Sequence, residues 1–305
     1  MDKQFDVIIV GAGPAGMTAG LYGARYGLSV AILDAMIYGG KMQKTYEIEN
    51  YPGTGKTSGA ALSQTMYEQT EAAGVTFLFD EIERIEDGEV KRLYGLSGEV
   101  YHGRAVILAS GTRERLLGIP GEETYTGRGV SYCAVCDGML FKNKKVVVIG
   151  GGNSALEEAL YLANLASSLT IVIRRDQFRA QGSIVDKVLT HPNITVLYQK
   201  VPVEILGDGS RVNGIVLKDS TGENTMTLAC DGVFPYIGAD PVSGYFASLG
   251  ICDKEGYLLC DEYMRTPLAG FYGAGDLRRK ELRQVVTAVS DGALAATAAF
   301  HDLNK

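Results

Sequence analysis

Apolar and β-branched residues gather in short runs along this chain, and two of the runs have the same sequel. Asp6-Val7-Ile8-Ile9-Val10 leads into Gly11-Ala12-Gly13-Pro14-Ala15-Gly16. Lys145-Val146-Val147-Val148-Ile149 leads into Gly150-Gly151-Gly152-Asn153-Ser154-Ala155, 139 residues further on. A short continuous apolar run bounded by turn residues reads as a strand buried on both faces. Each run is followed by a G-x-G-x-x-G/A turn, a helical pattern and a second strand, at 29–33 in one case and 169–173 in the other.

The likeness extends beyond the glycine turns. Strands are predicted at 81–85, 89–96 and 100–108 after the first unit, and at 203–206, 211–218 and 224–228 after the second. Asp87-Gly88, Ser97-Gly98, Gly207-Asp208-Gly209 and Thr221-Gly222 supply the turns. Each meander enters a buried strand, 105–108 before Ala109-Ser110-Gly111 and 232–236 before Ile237-Gly238. A last buried strand, in 270–276, follows the second copy and returns to the first. The pattern predicts an α/β chain of two nested Rossmann-like dinucleotide-binding domains, each layered ββα. The first comprises 1–113 and 240–305, and the second is inserted at 114–239.

The chain has 305 residues, 46% apolar and 21% charged, which is a globular balance. Its net charge of −7 argues against sequence-independent nucleic-acid binding. No apolar run approaches the roughly 18 residues of a membrane span. The charged start, Met1-Asp2-Lys3-Gln4-Phe5-Asp6, does not read as a secretory signal. Five cysteines without scaffold spacing favour a reducing compartment.

A glycine turn that follows a strand and opens a helix lets the backbone approach a pyrophosphate and holds it on free helix N–H groups. The residue near the end of the next strand selects the nucleotide. Asp34, 23 residues after Gly11, suits the ribose hydroxyls of FAD or NAD and repels a 2′-phosphate. Arg174, 24 residues after Gly150, and Arg175 suit that phosphate, with Arg179 one helical turn on if the segment is helical. The pair reads as one FAD or NAD site and one NADP site.

Cys133-Ala134-Val135-Cys136-Asp137 lies just before the first strand of the inserted domain. Cys230, Cys252 and Cys260 form no second pair, and His102, His191 and His301 lie far from it in sequence. That argues against a tetrahedral metal site, so no metal is expected. Two inert buried cysteines remain an alternative to a redox dithiol/disulfide. Asp137 suits proton movement during thiol exchange, or with Gly138 forms a turn.

These pieces together resemble the low-molecular-weight, prokaryotic-type thioredoxin reductases, with the glutathione-reductase-like FAD/NAD(P) fold. The resemblance rests on GAGPAG at 11–16, GG at 39–40, EIENYPG at 47–53 and CAVCDG at 133–138. It rests further on GGGNSALEEALYLA from Gly150, RRDQFRA from Arg174, GAGD ending at Asp276, and Arg283-Gln284. It implies non-covalent FAD in the first domain, NADPH in the second and a cytoplasmic homodimer. It also implies electron flow from NADPH through FAD and a Cys133–Cys136 disulfide to thioredoxin or a thioredoxin-like redoxin. No nucleic acid or membrane partner is expected.

The implied catalytic residues are Cys133, Cys136 and Asp137. The implied cofactor set is Gly11, Gly13, Pro14, Ala15, Gly16, Asp34, Gly39, Gly40, Lys41, Asn50, Ala109, Gly111, Asp276, Arg283, Gln284 and Val285, with Gly150, Gly152, Asn153, Ser154, Ala155, Arg174, Arg175, Arg179 and Gly238. Arg283 and Gln284 are expected to open a last helix over 284–301 that aims its N-terminus at the flavin. The family also implies rotation of the inserted domain about crossings near 113 and 239.

The chain departs from the family pattern at several places. Ile173 stands where a His is usual, and Lys41 replaces a Gln. Phe234-Pro235-Tyr236 replaces a strand of small residues, and Met139-Leu140-Phe141 follows the Cys pair where aromatics are common. A flavin-dependent disulfide oxidase would not need the arginines, and a ferredoxin–NADP reductase would not need the cysteines. A reductase of another small redoxin and a redox- or NADPH-sensing protein are further alternatives.

Overall fold

The computed structural model describes residues 4–45, 48–180 and 182–305. Glu47, which opens the EIENYPG motif, and the start Met1-Asp2-Lys3 lie outside the described residues. The chain divides into two compact units, 1–44 with 51–113 and 240–305, and 45–50 with 114–239. Residues 45–50 thus group with the second unit, although the sequence boundaries place them in the first domain.

The first unit starts with β1 (Gln4–Val10), α1 (Pro14–Arg25) and β2 (Val30–Asp34). Pro14 occupies the first turn of α1, where a missing N–H costs nothing. A 3₁₀ turn at Gly40–Lys44 and α2 (Gly59–Ala72) lead to β3 (Thr76–Phe79). Ser58 caps α2 by accepting the Ala61 N–H at 3.1 Å. The meander follows as β4 (Ile82–Glu86), β5 (Lys91–Gly95) and β6 (Val100–Leu108), and β7 (Thr112–Glu114) runs toward the second unit.

The second unit carries α3 (Glu122–Tyr125) and α4 (Ala134–Asp137), followed by β8 (Lys145–Ile149), α5 (Asn153–Ala163) and β9 (Ser168–Val172). It continues with α6 (Gly182–Thr190), β10 (Ile194–Leu197), β11 (Lys200–Gly207), β12 (Val212–Asp219), β13 (Thr225–Ala229) and β14 (Gly232–Pro235). β15 (Ala239–Pro241), β16 (Phe271–Gly273) and α7 (Val285–Leu303) complete the chain. β7 and β15 pair as a two-stranded ladder.

The two sheets show why the sequence repeats. In the first unit the order is β3-β2-β1-β6-β5-β4, with β16 also on β6. The β3-β2-β1-β6 run is parallel and β16 is parallel to β6, while β4, β5 and β6 form an antiparallel meander. In the second unit β10-β9-β8-β14 is all parallel, and β11-β12-β13 is a separate antiparallel sheet. The long β6 serves both sheets' roles in the first unit, whereas β13 and β14 share them in the second. Ile8, Ile9, Ile32, Ile107, Val148 and Ile171 have at most 1% of their surface exposed. Such burial contributes about 1.5–3 kcal/mol per side chain.

The parallel sheets are therefore one strand longer than the reading of the sequence, by β3 and β10. The segment after Arg174 is not helical but a run of bends, so Arg179 does not lie one helical turn on. Among the described residues no helix is long and apolar enough to cross a membrane.

Candidate active site

The carboxyl ends of the strands in the first unit gather most of the predicted flavin positions. Gly11 donates to the Leu33 carbonyl at 2.8 Å, Ala109 to Val10 at 2.8 Å and Gly39 to Ala12 at 2.7 Å. Gly11 has φ +111°, and a Cβ there would stand 2.4 Å from the Ala109 oxygen. A Cβ on Gly16 would fall 1.8 Å from the Gly11 oxygen. By contrast, a Cβ on Gly13 would meet nothing within 4 Å. The first and third glycines are needed by the protein's own backbone, and the second faces open space at the start of α1.

Asp34 closes one side of this turn. One carboxylate oxygen accepts the Ala12 N–H at 2.7 Å and the other accepts Met36 N–H at 2.9 Å. A carboxylate has about four lone-pair sites, so capacity for ribose hydroxyls remains. Gly40 borders Gly13, Lys41 donates to the Thr112 hydroxyl at 2.7 Å, and Gly111 has φ +68°. The Gly275-Asp276 turn packs against Ala15, where a Cβ on Gly275 would lie 2.9 Å from the alanine methyl. Asp291 of α7 accepts the Gly275 N–H at 3.0 Å and pairs with Lys280 at 2.8 Å and Arg278 at 3.0 Å, tying that turn to the helix.

The last helix begins at Val285, with Gln284 as its cap in a reciprocal capping box with Thr287. The Arg283 guanidinium lies 4.7 Å over the Tyr257 ring. Asn50 is exposed and falls in the segment that groups with the second unit.

The second glycine turn repeats the first. Gly150 donates to Val172 at 3.1 Å and has φ +148°, and Tyr236 donates to Ile149 at 2.7 Å. A Cβ on Gly150 would stand 2.3 Å from the Tyr236 oxygen, while one on Gly152 would meet nothing within 4 Å. Asn153 and Ser154 open α5, and Ala155 is buried in place of a third glycine. Arg174, Arg175 and Arg179 are exposed, and the Arg179 N–H donates to the Gly151 carbonyl at 2.8 Å. Gly238 has φ +118° and borders Arg115.

The strand register corrects one detail of the sequence reading. Val10 pairs with Leu33 and Ile149 pairs with Val172, so the residue in register with Asp34 is Ile173, not Arg174. Ile173 is 3% exposed, and its methyl lies against Gly151 where Asp34 meets Ala12. The arginines follow one and two residues later.

Cys133 and Cys136 are joined by a disulfide, with Cα atoms 5.3 Å apart. Cys133 is the N-cap of α4, and its sulfur accepts the Cys136 N–H at 3.2 Å. Asp137 is buried and accepts a hydrogen bond from the Ser131 hydroxyl at 2.6 Å. The Ala134 N–H donates to the Tyr236 hydroxyl at 2.7 Å. Tyr132 donates to Glu122, which also accepts the Leu117 and Gly118 N–H groups. Val135, Met139 and Leu140 are exposed beside the pair, whereas Phe141 is buried against Phe234.

Ser131, Tyr132 and Glu122 lie outside the motifs that point to the site, Glu158 lies inside GGGNSALEEALYLA but reads there as an ordinary helix position, and Tyr236 stands out in the sequence only as a departure from the family pattern. Burial pushes the Cys230 thiol up to about 12, Cys260 up to about 11 and Cys252 upward. Such thiols stay protonated and unreactive near neutral pH. Among the described residues no cluster of His, Cys, Asp and Glu has the makings of a metal site.

Comparison with known proteins agrees with this architecture. The family model for pyridine nucleotide-disulphide oxidoreductases matches residues 5–292. A thioredoxin reductase of Listeria innocua is 44% identical over 294 residues, covering 96% of this chain and 92% of its own. One from Bacillus subtilis is 42% identical over 300 residues, covering 98% and 95%. The crystal structure of thioredoxin reductase from Streptococcus pyogenes matches with a TM-score of 0.94 at 42% identity, over 100% of this chain and 99% of that one. The chain belongs to the pyridine nucleotide-disulphide oxidoreductases, and within them to the low-molecular-weight thioredoxin reductase family.

Proposed function

We propose that this enzyme reduces the disulfide of thioredoxin, or of a thioredoxin-like protein, with NADPH as donor and FAD as carrier. The observation that carries the reading is a Cys133–Cys136 disulfide in the same unit as one dinucleotide turn, with a second such turn in the other unit. Both turns fit a pyrophosphate, because Gly13 and Gly152 each leave open the space a Cβ would fill. When bound, FAD supplies a two-electron carrier between the nicotinamide and the disulfide.

The protein's own residues have separable tasks. Gly11, Gly13, Pro14, Ala15 and Gly16 form the first anion cradle, and Asp34 takes ribose hydroxyls. Gly39, Gly40, Lys41, Asn50, Ala109, Gly111 and Asp276 surround the carrier, with Arg283, Gln284 and Val285 bringing the N-terminus of α7 to it. Gly150, Gly152, Asn153, Ser154 and Ala155 form the second cradle, with Gly238 beside it. Arg174, Arg175 and Arg179 meet the 2′-phosphate. The Cys133–Cys136 bond accepts two electrons and two protons and opens to two thiols, one of which ionises to react. One thiolate attacks the partner's disulfide, and the other displaces it as the mixed disulfide resolves. Asp137 holds a proton at its carboxyl group for the thiol of the pair.

Val135, Met139 and Leu140 are the apolar surface on which the partner docks. The reading includes a cytoplasmic homodimer, and sedimentation of the purified protein tests the dimer. A flavin-dependent disulfide oxidase is disfavoured by the exposed arginines beside the second turn. The test is NADPH oxidation by the FAD-loaded protein with a panel of disulfide redoxins and with oxygen alone. Rapid oxidation with thioredoxin is the expected result, and NADPH oxidation that no disulfide redoxin raises above the rate with oxygen alone would overturn the proposal.

A further inference from the structure

In register, the two glycine turns differ at the residue that closes the strand beside each. Ala109 follows Leu108, the partner of Val10, and Tyr236 follows Pro235, the partner of Ile149. Their backbones do the same work, each donating to the facing strand and each setting its carbonyl against the first glycine. Their side chains do not. Ala109 offers a methyl group, whereas Tyr236 sends a phenol to the redox pair.

The four-residue helix α4 leaves its leading N–H groups without partners inside the helix. The Cys136 N–H is taken by the Cys133 sulfur, while the Asp137 N–H makes the first bond inside the helix, to the Cys133 carbonyl at 3.1 Å. Ala134 is fully buried, and its N–H bonds to the Tyr236 hydroxyl. Ala134 shares a peptide with Cys133, which is held extended at φ −141° and ψ 101°. Anchoring that peptide keeps the Cys133 sulfur beneath the Cys136 N–H. An N–H aimed at sulfur favours the thiolate over the thiol.

We propose that Tyr236 is a positioning residue for thiol exchange, its hydroxyl fixing the Cys133–Ala134 peptide so that Cys133 ionises under the Cys136 N–H. The same residue braces the second glycine turn through its backbone, so one side chain registers the redox pair on the nucleotide turn. This inference rests on the proposed reductase function. The ionisable groups around the phenol are Glu158 of α5 and Asp137 of α4, and burial together with Glu158 holds the phenol neutral. As a neutral hydroxyl it both accepts the Ala134 N–H and keeps a hydrogen of its own to donate.

Tyr236→Phe removes the oxygen and keeps the ring. The FAD-loaded protein is reduced with dithiothreitol, and iodoacetamide labelling of the peptide bearing Cys133 and Cys136 is followed from pH 5 to 9. The variant should label about fivefold more slowly at pH 7, with its midpoint moved up by about half a unit or more. Thioredoxin turnover should fall about tenfold, with flavin bleaching by NADPH within about twofold of wild type. A labelling profile that superimposes on wild type overturns the proposal. Equal losses in bleaching and thioredoxin turnover overturn it too, because they mark a general structural defect.

In the wild-type protein, residue-resolved hydrogen exchange should find the Ala134 amide protected, and rapid exchange there would overturn the proposal even if the variant failed to fold. Labelling does not require a redoxin. If wild type fails to reduce thioredoxin while the labelling shift appears, the reductase reading fails and the positioning role stands.

Discussion

The two dinucleotide turns share a backbone and differ in a few side chains. Both place a left-handed glycine against the carbonyl of a neighbouring strand and an open glycine at the start of a helix. At the end of the second strand the first turn has Asp34, bonded to the Ala12 N–H, and the second has the buried methyls of Ile173. At the neighbouring strand end the first has Ala109 and the second Tyr236. On the helix, Ala19 of α1 is 1% exposed and stands where Glu158 of α5 carries a carboxyl group. The third small residue is Gly16 in one and Ala155 in the other. The main chain makes a pyrophosphate cradle, and side chains at register positions decide which nucleotide it suits and whether a redox pair is fastened beside it.

The largest expected difference between the copies lies in the cysteines, which only the second unit pairs. Cys133→Ser or Cys136→Ser should abolish NADPH-dependent reduction of thioredoxin, while stopped-flow bleaching of the flavin by NADPH survives. Near-normal thioredoxin reduction by either variant would show that the disulfide is not on the electron path. Cys230, Cys252 and Cys260, with their raised thiol pKa values, should tolerate Ser with activity largely kept.

Next comes the phosphate clamp. Each charge-assisted bond to a 2′-phosphate contributes roughly 1.5–3 kcal/mol, less where exposed. Replacing Arg174 and Arg175 together with Ala should reduce kcat/KM for NADPH on the order of 100-fold, at about 1.4 kcal/mol per tenfold. NADH should be nearly unaffected. An equal loss for both cofactors would separate the arginines from phosphate recognition.

Register supplies a finer test. Ile173→Asp places a carboxylate where Asp34 sits in the other copy. The ratio of kcat/KM for NADPH to that for NADH should fall about tenfold, because a carboxylate there repels the phosphate and accepts ribose hydroxyls. Circular dichroism checks that the buried substitution leaves the fold intact. A folded variant with an unchanged ratio would break the analogy between the copies at this position.

Much of this comparison is legible before folding. Val7-Ile8-Ile9-Val10 and Val146-Val147-Val148-Ile149 are apolar at successive positions because parallel strands are buried on both faces, and the glycines after them are enforced by close backbone contacts. β3 and β10 escape notice because each has only four residues and carries no motif. The one-residue offset between Asp34 and Arg174 is invisible to counting, since loop lengths differ between the copies while the strand ladder sets the register. Arg179 reads as helical from its spacing, but the chain bends after β9. Tyr236 gains meaning only through contact, as its partner Ala134 lies distant in sequence, and Glu158 only through its burial.

Glu158 provides the smallest effect and a pH-dependent one. One of its carboxylate oxygens is buried and accepts no hydrogen bond among the described residues. Burial, and then the charge of Glu157, raises its pKa from the ordinary 4.5 to about 7. The folded state therefore binds the proton more tightly than the unfolded chain. Stability from this group is fully present below pH 4.5 and is lost as pH rises through about 7, where the buried group must ionise. At about 1.36 kcal/mol per pKa unit the loss has a ceiling of about 3 kcal/mol. Partial solvent access reduces it, and the amide of Glu158→Gln carries a desolvation cost of its own. The variant should thus gain about 1 kcal/mol over wild type at pH 8 relative to their difference at pH 5. Urea denaturation of the FAD-loaded proteins at both pH values measures this. Ala19 supplies the internal contrast: at the matching position of the other copy there is no group to titrate. A constant difference between the two proteins at both pH values would mean that Glu158 keeps its ordinary ionisation, and that this difference between the copies is one of packing alone.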